Sequence, residues 1–359
     1  MKPTIVSIHL LNDYSGSPRI LSQVLSSFVQ RSYKVDLYTS QNGKEGFLSH
    51  MEGVNAFHFS YQWHPNKWRT LFSFFMSQCI LFFTLLRYRK QNVLFYVNTV
   101  LPIGAALAGK LMGKKVIYHI HETSIKPRLF KKLLFFIAQK TASEAIYVSH
   151  YLHEQEPLRK VNCHVIYNAL SSDFIAQSHS HMPSIAGDFQ VLMLSSLKEY
   201  KGVHTFVSLA KSIAHCTFEL VVNATQEEID DFFDGSEFPV NLKIYPSQAD
   251  VHPFYKKAKL VLNLSHPLQW VETFGLTALE AMSYGIPSIV PPVGGIKELV
   301  DHGISGYTID PRKNDVLVTT ICNMSKNNIL YRELSQKAKT KSRDFCPKMM
   351  VDKIENLLL

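Results

Sequence analysis

Cysteine is scarce in this chain and poorly placed for shared duty. The five residues, Cys79, Cys163, Cys216, Cys322 and Cys346, form no Cys-x-x-Cys pair and are odd in number, which argues against a disulfide framework or a structural zinc. Free, mostly buried thiols in a reducing compartment are the expectation. Long hydrophobic runs are also lacking. The longest uncharged stretch, Thr70 to Leu86, carries Ser73, Ser77, Gln78 and Thr84 and falls short of the ~20 apolar residues of a spanning helix, so a buried or interfacial helix is expected. The opening "MKPTIVSIHLLNDYSGSPR" has only a short apolar run, broken by His9 and closed by Asn12 and Asp13, and reads as a strand rather than an export signal. Carboxylates are outnumbered, 29 against 38 Lys and Arg, and the net charge of +9 favours an anionic partner: nucleic acid, anionic lipid or a phosphorylated small molecule. No nucleic-acid-binding motif accompanies the charge, so a nucleic-acid partner is not expected.

What is present is alternation. "TIVSIHLL", "KVDLYT", "VLFYVN", "KVIYHIH" and "AIYVS" read as strands, with helical patterns between them at Arg19 to Gln30, "LPIGAALAGKLMG" and "RLFKKLLFFIAQKTA". Gly113 fits a helix C′ position. A second series, "FQVLMLSSL", "FELVVNA", "NLKIYP", "KLVLNLS" and "PSIVPP", repeats the pattern. Such alternation implies βαβ units and parallel sheets. With 359 residues, 46% of them hydrophobic, the chain divides most naturally into two domains. The expected bounds are a first domain over 1–170, a Ser- and His-rich linker over 171–188, a second domain over 189–340 and a helical tail over 341–359, divided at Pro347 and packing back on the first domain. His179 and His181 are expected as solvated linker residues rather than metal ligands.

One stretch concentrates the chemistry: Trp270 to Pro287, "WVETFGLTALEAMSYGIP". Gly275 ends a loop, Leu276, Leu279, Ala281 and Met282 follow with helical spacing, and Gly285-Ile286-Pro287 stops the helix. Free backbone N–H groups and the positive dipole end at such a helix start suit a phosphate or diphosphate. Glu272 precedes the turn and Glu280 lies inside the helix, so at ~1.5 Å per residue they do not converge as an acid and base pair. They suit two separate sets of sugar or ribose hydroxyls.

The longer segment "ETFGLTALEAMSYGIPSIVPPVGGIKELVDHGISGYTID" resembles the signature of the retaining family-4 glycosyltransferases, with its Glu-x7-Glu element, Gly-x-Pro strand entry, Gly-Gly-x-x-Glu-Leu turn and final Gly. The resemblance implies an α/β fold of GT-B architecture, two Rossmann-like domains with parallel sheets facing a central cleft. It implies that Glu272 contacts the donor sugar, that Glu280 contacts the ribose, and that the backbone of Thr273, Phe274, Gly275 and Leu276 helps hold the diphosphate. "SLKEYKGVHTFVSLAK" is similar to the family's strand-loop-helix in which a lysine before glycine binds the donor phosphates, here Lys201 before Gly202. Where many members have an arginine, this chain has Ser196, and Lys198 is the nearest replacement charge. In "NDYSGSPRIL", Gly16 matches the glycine loop near the donor; in "YHIHETS", His121 matches a histidine at the donor sugar; in "VIYNAL", Asn168 matches the segment before the linker. His119 and His121 share a strand face, but no third metal ligand accompanies them.

The function expected from the resemblance is retaining transfer of a sugar from a nucleotide diphosphate donor to a hydroxyl of a glycan or lipid-linked acceptor, in surface polysaccharide or glycolipid assembly. The nucleotide sugar is a co-substrate, and no cofactor is expected. The acidic run "IDDFFDGSE", Ile229 to Glu237, lacks a strict Asp-x-Asp and reads as an exposed helix end rather than a metal clamp, so metal independence is expected. Competing readings are a catalytically silent partner subunit, suggested by Ser196, and a nucleotide-sugar epimerase of the same architecture. Finally, Lys126 to Lys140, "KPRLFKKLLFFIAQK", places Leu129, Leu133, Phe136 and Ile137 on one side of a helix and Arg128, Lys131, Lys132 and Gln139 on the other, with Phe135 among the bases. The expectation is that the first side is buried, and that the second docks the enzyme peripherally on the cytoplasmic face of an anionic membrane.

Overall fold

Strands with helices on both faces are buried on both sides and read as continuous apolar runs, which is why "VLFYVN" is buried from end to end. The computed structural model describes residues 2–40, 45–180 and 187–358. The chain divides into unit 1, Met1–Tyr167 with Lys348–Leu359, and unit 2, Asn168–Pro347.

Unit 1 runs β1 (Thr4–His9), α1 (Gly16–Gln30), β2 (Val35–Ser40), β3 (Val54–Phe59), α2 (Lys67–Leu85), β4 (Val93–Asn98), α3 (Ile103–Leu111), β5 (Val116–Ile120), α4 (Arg128–Thr141), β6 (Glu144–Tyr147), α5 (His150–Gln155) and β7 (Asn162–Val165). The strands form one parallel sheet in the order β3-β2-β1-β4-β5-β6-β7. Gly113 has φ +67° just past α3, the left-handed helix exit expected of it.

Unit 2 runs α6 (Ser172–His179), β8 (Gln190–Ser195), α7 (Val203–Ser212), β9 (Thr217–Val222), α8 (Gln226–Phe232), β10 (Leu242–Tyr245), α9 (His252–Lys257), β11 (Leu260–Leu262), α10 (Leu276–Ser283), β12 (Ser288–Val290), β13 (Gly306–Thr308), α11 (Asn314–Lys326) and α12 (Asn328–Ser342). Its sheet is also parallel, in the order β10-β9-β8-β11-β12-β13. A last helix, α13 (Pro347–Asn356), starts at the proline and packs in unit 1, where Arg31 at the end of α1 pairs with Asp352 and Glu355.

The structure departs from the sequence expectations at the thiols, of which only Cys216 is buried, at the linker and at α4. The stretch expected as a linker over 171–188 contains α6, capped by Ser171, whose Phe174 is buried in unit 2 with its ring 4.4 Å from that of His252. A single aromatic anchor thus gives a polar segment a packed face. His179 is exposed at the end of that helix, and His181 lies outside the described residues. In α4 the buried residues are Leu134, Ala138 and Thr141, while Leu129, Leu133 and Phe136 are exposed and Phe135 is half-buried. Neighbours cause the difference: Phe130 is drawn edge-on against Phe74 of α2 at 5.2 Å, turning the expected inner stripe outward.

Candidate functional site

In a parallel sheet the crevice for a ligand lies beyond the carboxyl ends of the strands, where the strand order reverses. In unit 2 that reversal falls between β8 and β11. The loop after β8 carries Ser196, Lys198 and Lys201 and ends at Gly202, with φ +80°. A Cβ on Gly202 would stand 2.3 Å from the Leu264 carbonyl oxygen, so only glycine lets this loop lie against the loop after β11.

That approach joins Lys201 to Glu272. The Lys201 ammonium forms an ion pair with Glu272 Oε1, and Ser265 Oγ donates to the same oxygen at 3.0 Å. Lys201 Nζ also lies 4.8 Å from the ring centroid of Trp270, which stacks on Tyr200 at 5.2 Å. Burial pushes the Glu272 carboxyl up, but the Lys201 charge and hydrogen bonds from Lys201, Ser265 and Asn263 outweigh it and hold the group below the usual carboxylate range. Glu272 is therefore ionised at neutral pH. Its backbone carbonyl accepts from Gly295 N–H at 2.8 Å, pinning the loop after β12 to the same point.

The next residues turn the chain into α10. Gly275 has φ +100°, and a Cβ there would fall 2.4 Å from Ile296 Cγ1. Phe274 is buried edge-to-face on Phe345 at 6.0 Å, so it anchors the turn, while Thr273 and Leu276 are half-buried. The turn thus offers backbone amides at a helix start, next to an ammonium and a carboxylate.

Glu280 is placed differently. It is buried inside α10, and its Oε2 accepts a 2.6 Å hydrogen bond from the Tyr255 hydroxyl, whose ring stacks on Tyr284. The two glutamates thus have different partners, Lys201 and Ser265 for one and Tyr255 for the other. Lys198 is exposed, and the Ser196 carbonyl accepts from its backbone N–H at 2.9 Å. Asn168 is buried, with Oδ1 unpartnered. A cavity of about 440 Å³, lined by Lys243, Lys256, Lys257 and Lys259, opens where β8 and β9 begin, at Gln190 and Thr217, the opposite end of the sheet from Lys201. The switch point, with its convergent loops and ion pair, is the better candidate site.

Unit 1 has a polar cluster at its own order reversal, between β1 and β4. Asn98 Oδ1 lies 3.0 Å from His121 Nε2, Asn98 Nδ2 lies 3.1 Å from His9 Nδ1, and the same amide donates to the Ser17 carbonyl at 3.3 Å. Ser17 follows Gly16, the first residue of α1. His119 bonds Tyr96 at 2.8 Å, and its ring centroid is 4.2 Å from that of His121. Burial pulls His9 down to about 4 and His119 down to about 3; burial and the neighbouring histidines hold His121 well below its ordinary value. All three are neutral at pH 7. Glu122 is pushed up to about 7 by burial, against hydrogen bonds from His121 N–H and Thr99, and its Oε1 has no partner. Among the described residues no group of three or more His, Cys, Asp or Glu is arranged to hold a metal ion.

Ser265, Asn263, Tyr200 and Glu122 were not among the site residues expected from sequence. The sequence gives Trp270 no role of its own, and Glu122 stands out there only as the neighbour of His121.

Residues 177–341 match the family Glycosyl transferases group 1. The chain is 25% identical over 281 residues to N-acetyl-alpha-D-glucosaminyl L-malate synthase of Bacillus anthracis, covering 70% of each chain. A 44-residue segment is 50% identical to sucrose synthase 2 of Hordeum vulgare, 5% of that protein's length. Among solved structures, an Anabaena protein in complex with UDP and glucose aligns with a TM-score of 0.79 at 20% identity over 99% of both chains. The apo lipopolysaccharide outer core galactosyltransferase WaaB aligns with a TM-score of 0.72 at 16% identity over 99% of both chains. The loops that join Lys201 to Glu272 thus lie within the stretch that is similar to the glycosyl transferases group 1 family, in a chain that has the GT-B fold.

Proposed function

We propose that this chain is a retaining glycosyltransferase that moves a hexosyl group from a nucleotide diphosphate sugar to a hydroxyl of a glycan or lipid-linked acceptor. The observation that carries the proposal is the Lys201–Glu272 pair at the start of α10, where two loops of the switch point meet. A diphosphate placed there would receive the Lys201 charge and the first amides of α10, and Glu272 would accept hydrogen bonds from donor-sugar hydroxyls. The bond from the anomeric carbon to the diphosphate oxygen breaks, the acceptor oxygen bonds to that carbon on the same face, and the acceptor's proton passes to the leaving diphosphate. Lys201 and the helix start stabilise the negative charge that grows on the leaving group. No metal is required in this scheme, because the ammonium and the amides take the cation's place. The ligands and activities of similar proteins, UDP and glucose for one and galactosyl transfer for another, support a nucleotide-sugar donor. Ser196 favours a second reading, a silent partner subunit that retains the binding site.

The test is incubation of the purified chain with a panel of nucleotide diphosphate sugars and candidate acceptors, in chelator, following nucleoside diphosphate release and the anomeric configuration of the product. Release with retained configuration supports the proposal. Inversion would refute retention, release only after magnesium or manganese is added would refute metal independence, and donor binding without release would establish the silent subunit. Interconversion of donor sugars would establish an epimerase.

A further inference from the structure

Helix α2 is the reverse of an ordinary surface helix. Its inward side carries Ser77 and Gln78 together with Phe74, Leu81 and Leu85. Those polar groups are satisfied inside: Gln78 Oε1 accepts from Gly104 N–H at 3.1 Å, and Gln78 Nε2 donates to Ser77 Oγ at 3.1 Å. The outward side is Trp68, Phe72, Met76, Ile80 and Phe83, spaced three or four apart into one stripe, with Trp68 79% and Phe72 70% exposed. Slack in the packing does not explain this orientation. A Cβ on Gly104 of α3 would fall 2.1 Å from the Gln78 carbonyl oxygen, so α2 and α3 meet backbone to backbone. α4 packs on α3 and, through Phe130, on Phe74 of α2, and α3 and α4 expose further apolar side chains, Leu111, Leu129 and Phe136. Although α2 and its continuation, Lys67–Tyr88, are long and apolar enough to cross a membrane, the close packing on α3 and the hydrogen bond from Gly104 to Gln78 lay the helix along unit 1.

Charge identifies what covers this face. Residues 53–143 contain thirteen Lys and Arg against one carboxylate, Glu122, a net +12; the other 268 residues carry 25 bases against 28 acids, a net −3. The chain's positive surplus therefore lies entirely in the segment that contains the three helices. A second copy of the same face would bring like charge against like. An anionic bilayer supplies both what the aromatic stripe and what the bases need.

We propose that the face formed by α2, α3 and α4 docks unit 1 on an anionic lipid surface, with Trp68, Phe72 and Phe83 entering the headgroup and acyl boundary and Lys67, Arg69 and Lys132 meeting the headgroups. This surface replaces the Phe135 side of α4 as the docking face, since Phe135 is half-buried and its apolar neighbours Leu129 and Phe136 are exposed. Docking requires no donor, so it stands or falls apart from the catalytic reading.

The experiment is flotation of the full chain with vesicles of phosphatidylcholine alone and of phosphatidylcholine mixed with phosphatidylglycerol, at low and high salt. The parent should float with the mixed vesicles at low salt. The Trp68→Gln, Phe72→Gln, Phe83→Gln variant should lose about 100-fold in partitioning, since three large side chains each lose roughly half of a full burial. Thermal unfolding checks that this variant is folded. A second variant, Lys67→Glu, Arg69→Glu, Lys132→Glu, should lose only the preference for anionic vesicles. A parent that ignores mixed vesicles at low salt, or an aromatic variant that floats equally well, overturns the proposal. So does a parent that is dimeric without lipid and becomes monomeric in the aromatic variant, which would assign the face to a second copy.

Discussion

Replacing Lys201 by methionine should destabilise unit 2 in a pH-dependent way that an exposed lysine cannot reproduce. The Lys201 and Glu272 side chains are 14% and 19% exposed, so the pair is mostly shielded from water. Breaking a fully buried pair by removing one partner costs about 3–5 kcal/mol. Here Glu272 keeps its 3.0 Å hydrogen bond from Ser265 and some solvent contact, which lowers the expected cost to about 2–3 kcal/mol. For a unit of this size, that corresponds to a fall in Tm of about 4–12 °C at neutral pH.

The sign of the pH dependence follows from Glu272. In the parent its carboxyl is held below the ordinary value, so its stabilisation is present above that value and is lost only as pH falls through the lowered one. Without Lys201, burial dominates and the folded-state value rises above the unfolded one. The variant then gains stability relative to the parent as pH falls from neutrality toward the ordinary carboxylate range, because its folded state takes up a proton that the unfolded chain does not. Thermal unfolding followed by circular dichroism measures this, with Lys198→Met as the exposed control, expected to stay within about 0.5 kcal/mol of the parent. Equal Tm losses in the two variants, or a Lys201→Met deficit that stays constant or widens on acidification, would refute the reasoning.

Gly275→Ala should cost more than Gly303→Ala. Both glycines have positive φ, +100° and +74°, at about 1–3 kcal/mol of strain each, but a Cβ at Gly275 also meets Ile296 Cγ1 at 2.4 Å, whereas nothing lies within 4 Å at Gly303. Denaturant midpoints measure the difference, and equal losses would contradict close packing of the turn. Glu122→Gln should remove a component of pH dependence in unit 1. A carboxyl raised to about 7 in the fold binds a proton that the unfolded chain has released, so stability falls as pH rises from the unfolded value near 4.5 to about 7. The Tm of the glutamine variant relative to the parent should therefore rise across that window; a constant difference would mean that Glu122 is not held protonated.

Much of the fold is legible in the sequence because strands buried on both faces need unbroken apolar runs. The strands that carry no such run, β3, β7 and β13, are all edge strands, and β3 and β7 have largely exposed or half-buried residues. Glu272, Gly275 and Lys201 are legible as a turn and a loop, but not as a pair, since 71 positions separate the two charged groups and only the β8–β11 adjacency brings them together. Glu280 is legible as a residue of α10, but its burial against Tyr255 depends on a helix 25 positions away in sequence. The orientation of α4 fails for a related reason. Periodicity marks a stripe, but the contact between Phe130 and Phe74, which no local pattern encodes, decides which side faces inward.

Calorimetric titration of UDP, ADP and GDP, and of the corresponding monophosphates, into the parent and Lys201→Ala chains addresses the Lys201–Glu272 site itself. Saturable binding of at least one diphosphate, tighter than its monophosphate and weakened about tenfold or more in the variant, is the predicted result, as expected for loss of a charge-assisted contact worth about 1.5–3 kcal/mol. Binding of no diphosphate, or identical binding by parent and variant, would contradict a diphosphate site at the start of α10.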